Sequence, residues 1–130
     1  MSIEENKAAA RRWFEVGFGR GDMSALEELM PEEQLLESSM REQVAAYRAA
    51  FPDITVTVDE QIGEREKVMT RLTFRGTHTG DLLGIPPTGK AMEYTIVQVA
   101  TFEGGQMVDQ WADFHPVVVL SQLGLVRGVD

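Results

Sequence analysis

The chain has 130 residues, 43% of them hydrophobic and 25% charged, the length and balance of one folded domain with one core, and this argues against disorder. Its 21 acidic residues against 12 basic ones give a formal charge of −9, which repels polyphosphates, so no nucleic-acid partner is expected. There is no cysteine, which excludes a disulfide framework and thiolate metal ligands and fits a reducing, cytoplasmic setting.

The opening residues, Met1 to Lys7, show neither the basic nor the apolar region of a secretory signal, and no apolar run approaches a membrane span. A soluble protein without a membrane partner is therefore expected. From Ser2, a suitable N-cap, Ile3, Ala10, Trp13, Phe14 and Phe18 form one helical stripe, which Gly17, Gly19 and Gly21 are expected to close. Asp22 or Ser24 is placed to cap a short second helix carrying Leu26, Leu29 and Met30. The acids Glu27, Glu28, Glu32, Glu33 and Glu37 read as a solvated helix face or loop. Ser38 or Ser39 is expected to cap a third helix with Met40, Val44, Tyr47 and Phe51 at helical spacing, ended by Pro52.

The period then changes from that of a helix to that of a strand. Ile54, Val56 and Val58 alternate with polar residues, as do Val68, Thr70, Leu72 and Phe74, and Met92, Tyr94, Ile96, Gln98, Ala100 and Phe102. Glu103-Gly104-Gly105 reads as a hairpin turn into a fourth strand, Gln106 to Phe114. Pro116 fits the first position of a short apolar helix and Gly124 its end. Helices first and a strand meander after them make an α+β pattern over a single domain, residues 1–130, with one face of a mainly antiparallel sheet packed on the helices.

Between the second and third strands runs Thr77-His78-Thr79-Gly80-Asp81-Leu82-Leu83-Gly84-Ile85-Pro86-Pro87-Thr88-Gly89-Lys90. Trp111-Ala112-Asp113-Phe114-His115 and Leu120-Ser121-Gln122-Leu123-Gly124 follow in order, and Phe51-Pro52-Asp53-Ile54 precedes. Together these segments resemble the SnoaL-like polyketide cyclases, or ester cyclases, of the nuclear-transport-factor-2-like superfamily. The resemblance implies a cone-shaped fold, in which N-terminal helices and a curved sheet enclose a pocket for a small hydrophobic molecule. It implies ring closure of the aldol type by a carboxylate acid–base, without metal or organic cofactor, and a homodimer formed through the outer face of the sheet. The family's acid–base Asp falls where this chain has His115, and an Asp stands instead at Asp113. The family's His before the third helix has no counterpart between Met30 and Ser39.

Trp111, Asp113 and His115 share strand parity, with neighbouring Cα atoms on that face ~7 Å apart, so Asp113 and His115 can pair as the catalytic acid and base. The bland alternatives are a helix-capping or exposed His115 and a surface Asp113. Tyr94 and Gln98 share a face with apolar residues, which suits either a ligand cavity or a core with satisfied polar groups. Trp111, His78, Trp13 and Phe14 complete the candidate substrate wall. His78 either bonds its own loop or, with Asp81, covers the pocket entrance. Arg71 and Arg75 either meet a substrate oxyanion or face cross-strand acids. With two His and no Cys, no spaced metal cluster is present, and neither a phosphate-binding glycine loop nor a Gly-x-Ser-x-Gly elbow is found. The sequence thus points to a cyclase-type enzyme on a hydrophobic carbonyl compound. A non-catalytic binding domain, an epoxide hydrolase or isomerase, and an oligomerising domain remain as alternatives.

Overall fold

The computed structural model describes residues 2–37 and 39–125; the side chains of residues 35–37 lie outside that description, as does Ser38, one of the two caps expected for the third helix. Helix α1 (Ile3–Arg12) begins with the expected cap. Ser2 Oγ accepts from the Glu5 N–H at 3.1 Å, and Glu5 accepts from the Ser2 N–H at 3.3 Å. The expectation that Gly17 and Gly19 close this helix is corrected. It continues through a π-helical turn, Trp13–Phe18, to residue 20, and the chain leaves it at Gly21. Gly17 is there for packing: a Cβ would stand 2.4 Å from Cε3 of Trp13, whose ring lies over the glycine. The guanidinium of Arg48 caps the far end, donating to the carbonyls of Phe18 at 3.1 Å and Gly19 at 2.8 Å.

Helix α2 (Ser24–Leu29) follows, and of its two expected caps Asp22 supplies the acceptor, at 3.0 Å from the Ser24 N–H and 2.6 Å from its hydroxyl. Those bonds hold the Asp22 carboxyl below its usual range. The acidic stretch forms a short helix, α3 (Glu32–Glu37), tied to the sheet by Gln34 Nε2, which donates to the Val108 carbonyl at 3.0 Å. Helix α4 (Met40–Ala50) presents Val44 and Ala50 to the interior; Ser39 precedes it without a side-chain cap.

Four strands form one antiparallel sheet in the order β1 (Thr55–Glu64), β2 (Lys67–Thr77), β3 (Ala91–Glu103), β4 (Gln106–Ala112). Its inner face carries Val58, Val68, Leu72, Phe74, Ile96, Ala100, Phe102 and Met107, buried with the aromatic residues of the first helix. Gln61 on β1 bonds the α1 carbonyl of Lys7 at 2.9 Å. The outer face is polar: Arg71 pairs with Glu60 and Arg75 with Glu93, each at 3.2 Å, and Thr73 bonds Asp59 and Thr95 at 2.6 and 2.9 Å. The two arginines thus meet cross-strand acids.

The register slips at two places, between Val58 and Glu60 against β2, and where Phe102 faces Met107 while Thr101 faces Asp109. Each slip inserts an extra residue and bends the sheet. Strand β4 is shorter than expected. It ends at Ala112, because Phe114 turns into the core before Pro116 opens helix α5 (Pro116–Gln122). That helix docks where β4 no longer covers β3: Gln122 Nε2 donates to the Glu93 carbonyl at 2.7 Å, and the Glu93 N–H donates to Gln122 Oε1 at 2.8 Å. The long loop after β2 seats on the end of α4, the N–H groups of Thr79 and Gly80 both donating to the Ala50 carbonyl. Gly80 is required there, since a Cβ would fall 1.9 Å from the carbonyl oxygen of Ala49.

Candidate active site

A cavity of about 150 Å³ lies between the π-helical turn, α4 and the inner face of β3 and β4. Trp13, Phe14 and Phe18 form one wall, Ile54, Phe74, Met92 and Ile96 another, and Phe114 and Val119 close the end. The polar groups on it are few: Gln43 and Tyr47 from α4, Tyr94 and Gln98 from β3, and Gln110 from β4. Gln43, Gln110 and Ala112 line the cavity yet are exposed, so the mouth opens between α4 and the edge strand β4. This volume is that of a site for a single ring, since a dry engineered cavity of this size binds benzene.

Of the residues expected to form the substrate wall, Trp13, Phe14, Tyr94 and Gln98 line the cavity. Trp111 does not; it stands 58% exposed on the opposite face of β4. The cause is the slip at Val108. Met107 points inward, and beyond the extra residue the inward positions become Gln110 and Ala112, paired with Ala100 and Gln98, while Trp111 pairs with Val99 outside. His78 does not line the cavity either. It is wholly buried, its ring 5.5 Å from that of Phe51, and Nδ1 accepts from the Thr88 N–H at 3.1 Å. Its own N–H donates to Lys90 and its carbonyl accepts from Gly89, so it stitches the loop closed.

Asp113 and His115 are brought together. His115 Nε2 lies 2.6 Å from Asp113 Oδ1, and the side chains are 66% and 60% exposed. The carboxylate holds the proton on Nε2 and leaves Nδ1 as the acceptor nitrogen. The pair stands on the outside of the chain at the rim, while Ala112 and Phe114 on either side of Asp113 line the cavity. The backbone of His115 is tied to the cavity wall, its N–H donating to the Tyr94 hydroxyl oxygen at 2.6 Å. That bond leaves the Tyr94 hydroxyl hydrogen free to donate elsewhere.

Spacing alone missed Tyr47, Gln43, Gln110 and Phe114. Tyr47 shares its helical stripe with Met40, Val44 and Phe51, a spacing that marks no site. Burial first, and the neighbouring Tyr94 second, raise its phenol above the ordinary range, so it stays a donor. Phe114 stands edge-on to both tyrosines, 6.0 Å from Tyr47 and 5.5 Å from Tyr94. Among the described residues no group of three or more His, Asp or Glu side chains is placed to hold a metal ion, and no helix is long and apolar enough to cross a membrane.

Helices packed on a curved antiparallel sheet around an apolar cavity define the nuclear-transport-factor-2-like cone. Residues 8–123 match the model of the SnoaL-like polyketide cyclase family, and the chain belongs to that family. None of the curated proteins matches it. Among solved structures, IdmH of Streptomyces antibioticus, a proposed polyketide cyclase, is 27% identical with a TM-score of 0.75, over 92% of this chain and 98% of that one. TsrD of Streptomyces laurentii is 20% identical with a TM-score of 0.83, over 97% and 99%. AclR of Streptomyces galilaeus, a proposed hydroxylase, is 23% identical with a TM-score of 0.80, over 99% and 87%.

Proposed function

We propose that the protein is a cyclase-type enzyme that holds the ring-sized part of a hydrophobic carbonyl compound in the cavity and closes a further ring on it by acid–base chemistry, without a cofactor. The observation that carries this reading is the Asp113–His115 pair, 2.6 Å apart, beside the cavity-lining Phe114 and tied through the His115 N–H to Tyr94. In the proposed step Nδ1 of His115 takes a proton from the carbon next to a carbonyl at the mouth. Tyr94 donates to the oxygen that becomes the enolate. The enolate carbon forms a bond to a second carbonyl carbon of the same molecule, and the imidazolium returns its proton to the alkoxide that results.

The test is exchange of α-protons of aryl methyl ketones into deuterated water, followed by NMR, with Asp113→Asn and His115→Ala. Proton transfer by a positioned group contributes about 10²–10⁴-fold, so a loss of at least about 10²-fold is expected in His115→Ala, with ketone binding kept. Unchanged exchange in both variants would sink the assignment. A second reading, a binding domain without chemistry, is favoured by a specific observation: no carboxylate or imidazole is among the described residues lining the cavity. It predicts saturable binding of the same ketones with no protein-dependent exchange. The proposal includes a homodimer formed through the outer face of the sheet, which exposes Trp111.

A further inference from the structure

Three buried side-chain polar atoms among the described residues have no hydrogen-bond partner: Asn6 Oδ1, His78 Nε2 and Gln98 Oε1. Of the three residues, Gln98 alone lines the cavity. It is 3% exposed, and its orientation is set by what its amide nitrogen meets. Nε2 lies 3.2 Å from Gln110 Oε1 and 3.8 Å from the Met107 sulphur, and both of these are acceptors. Turning the amide over would set an oxygen against the sulphur. The nitrogen therefore faces β4, and the carbonyl oxygen is left without a donor. Folded proteins satisfy nearly all such groups, and an unmet one in a mostly apolar wall marks a place where something else supplies the hydrogen.

We propose that Gln98 is the specificity-determining acceptor of the cavity, and that the natural ligand carries a hydroxyl donor, a phenol or an enol, on the part that enters. The inference rests on the reading of this cavity as the ligand site and adds to the carbonyl a second required group. The two polar handles have opposite senses. Tyr94, whose oxygen already accepts from the His115 N–H, has a hydrogen to give to a ligand carbonyl, whereas Gln98 has only a lone pair to offer. Gln110, exposed at the mouth, accepts from the Gln98 nitrogen. A hydroxy ketone is thus the ligand class that the wall complements. A plain aryl ketone of the same shape leaves Gln98 Oε1 buried and unmet, and it should be discriminated against as sites built to bond a hydroxyl discriminate.

The experiment compares 4-hydroxyacetophenone with 4-methylacetophenone, equal in shape and different only in the donor, by calorimetric or NMR titration of the whole chain. A tenfold or greater preference for the hydroxy compound is expected, the range that a single unmet buried acceptor produces. In Gln98→Met the preference should vanish or reverse, while the methyl compound keeps its affinity. Equal binding of the two by the unaltered protein overturns the role of Gln98 and leaves the cavity reading standing. Binding of neither overturns both. A preference that persists in Gln98→Met overturns the assignment to this residue. Gln98→Glu, whose side chain when ionised carries acceptors alone, should keep the preference, and its loss there would overturn the role of the lone pair.

Discussion

A buried carbonyl with no donor opposite it costs about 1–3 kcal/mol, and Gln98 Oε1 is such a group in the empty protein. Gln98→Met fills nearly the same space with a side chain that needs no partner. It is expected to raise the unfolding free energy of the ligand-free protein by about 1 kcal/mol, read as a higher urea midpoint at unchanged slope. A fall in stability would mean that the oxygen already has a partner in solution. The same reasoning separates Gln98 from His78. Both are buried and both keep one polar atom unmet, but His78 spends Nδ1 and its backbone on the loop that it closes. One residue costs stability at the cavity wall, and the other holds a turn.

The elements meet at a junction where β1 begins and β2 ends. Asp53 accepts from both the N–H and the hydroxyl of Thr77 at 2.8 Å, first by Oδ1 and then by Oδ2, and these bonds hold its carboxyl below the usual range. A lowered pKa in the folded state means that the unfolded chain binds the proton more tightly. The contribution is therefore complete above the ordinary carboxylate range and is lost as pH falls through and below it. Asp53→Asn should flatten the acid side of the stability curve, as followed by thermal unfolding between pH 6 and about pH 2; an unchanged acid limb would show that the carboxylate contributes nothing. At this scale the sequence was readable wherever the chain's own period decides. The Ser2 cap, the buried stripe of α4, the hairpin at Gly104-Gly105 and the alternation of β3 all follow from residues a few positions apart. It was unreadable where a neighbour decides. The slip at Val108 depends on how β4 lies against β3, and it moved the inward positions from the Trp111 set to the Gln110 set. The π-helical turn and the placing of Trp13 over Gly17 are likewise settled by what packs around them. The candidate site was therefore legible on β3, as Tyr94 and Gln98, and misaligned on β4. The Asp113–His115 pairing was anticipated, but not the cavity on the other side of the chain from it.

The whole molecule separates a cavity from a rim: Gln43 and Tyr47 of α4 and Tyr94 and Gln98 of β3 line the cavity, and the Asp–His pair stands outside, just past the end of β4. The outer face of the sheet is the remaining large surface, and its exposed Trp111 lies beside the half-buried Val97 and Val99. If that face joins two copies, light scattering should give twice the 14.5 kDa chain mass, and Trp111→Asp should return it to one chain without lowering ligand affinity. A single-chain mass for the unaltered protein would remove the dimer from the proposal. Gln122 bears on the opposite problem, unwanted association. Where β4 stops, the peptide of Glu93 would be left as bare edge, with an N–H and a carbonyl open to any extended chain that drifted past. The side-chain amide of Gln122 has the same donor and acceptor as a peptide group and fills both positions, so one glutamine at the end of α5 imitates a fifth strand one residue long. Its consequence is colloidal as much as structural: the stretch of β3 that β4 leaves uncovered is finished at Glu93 by a side chain, and there it offers no template to another chain.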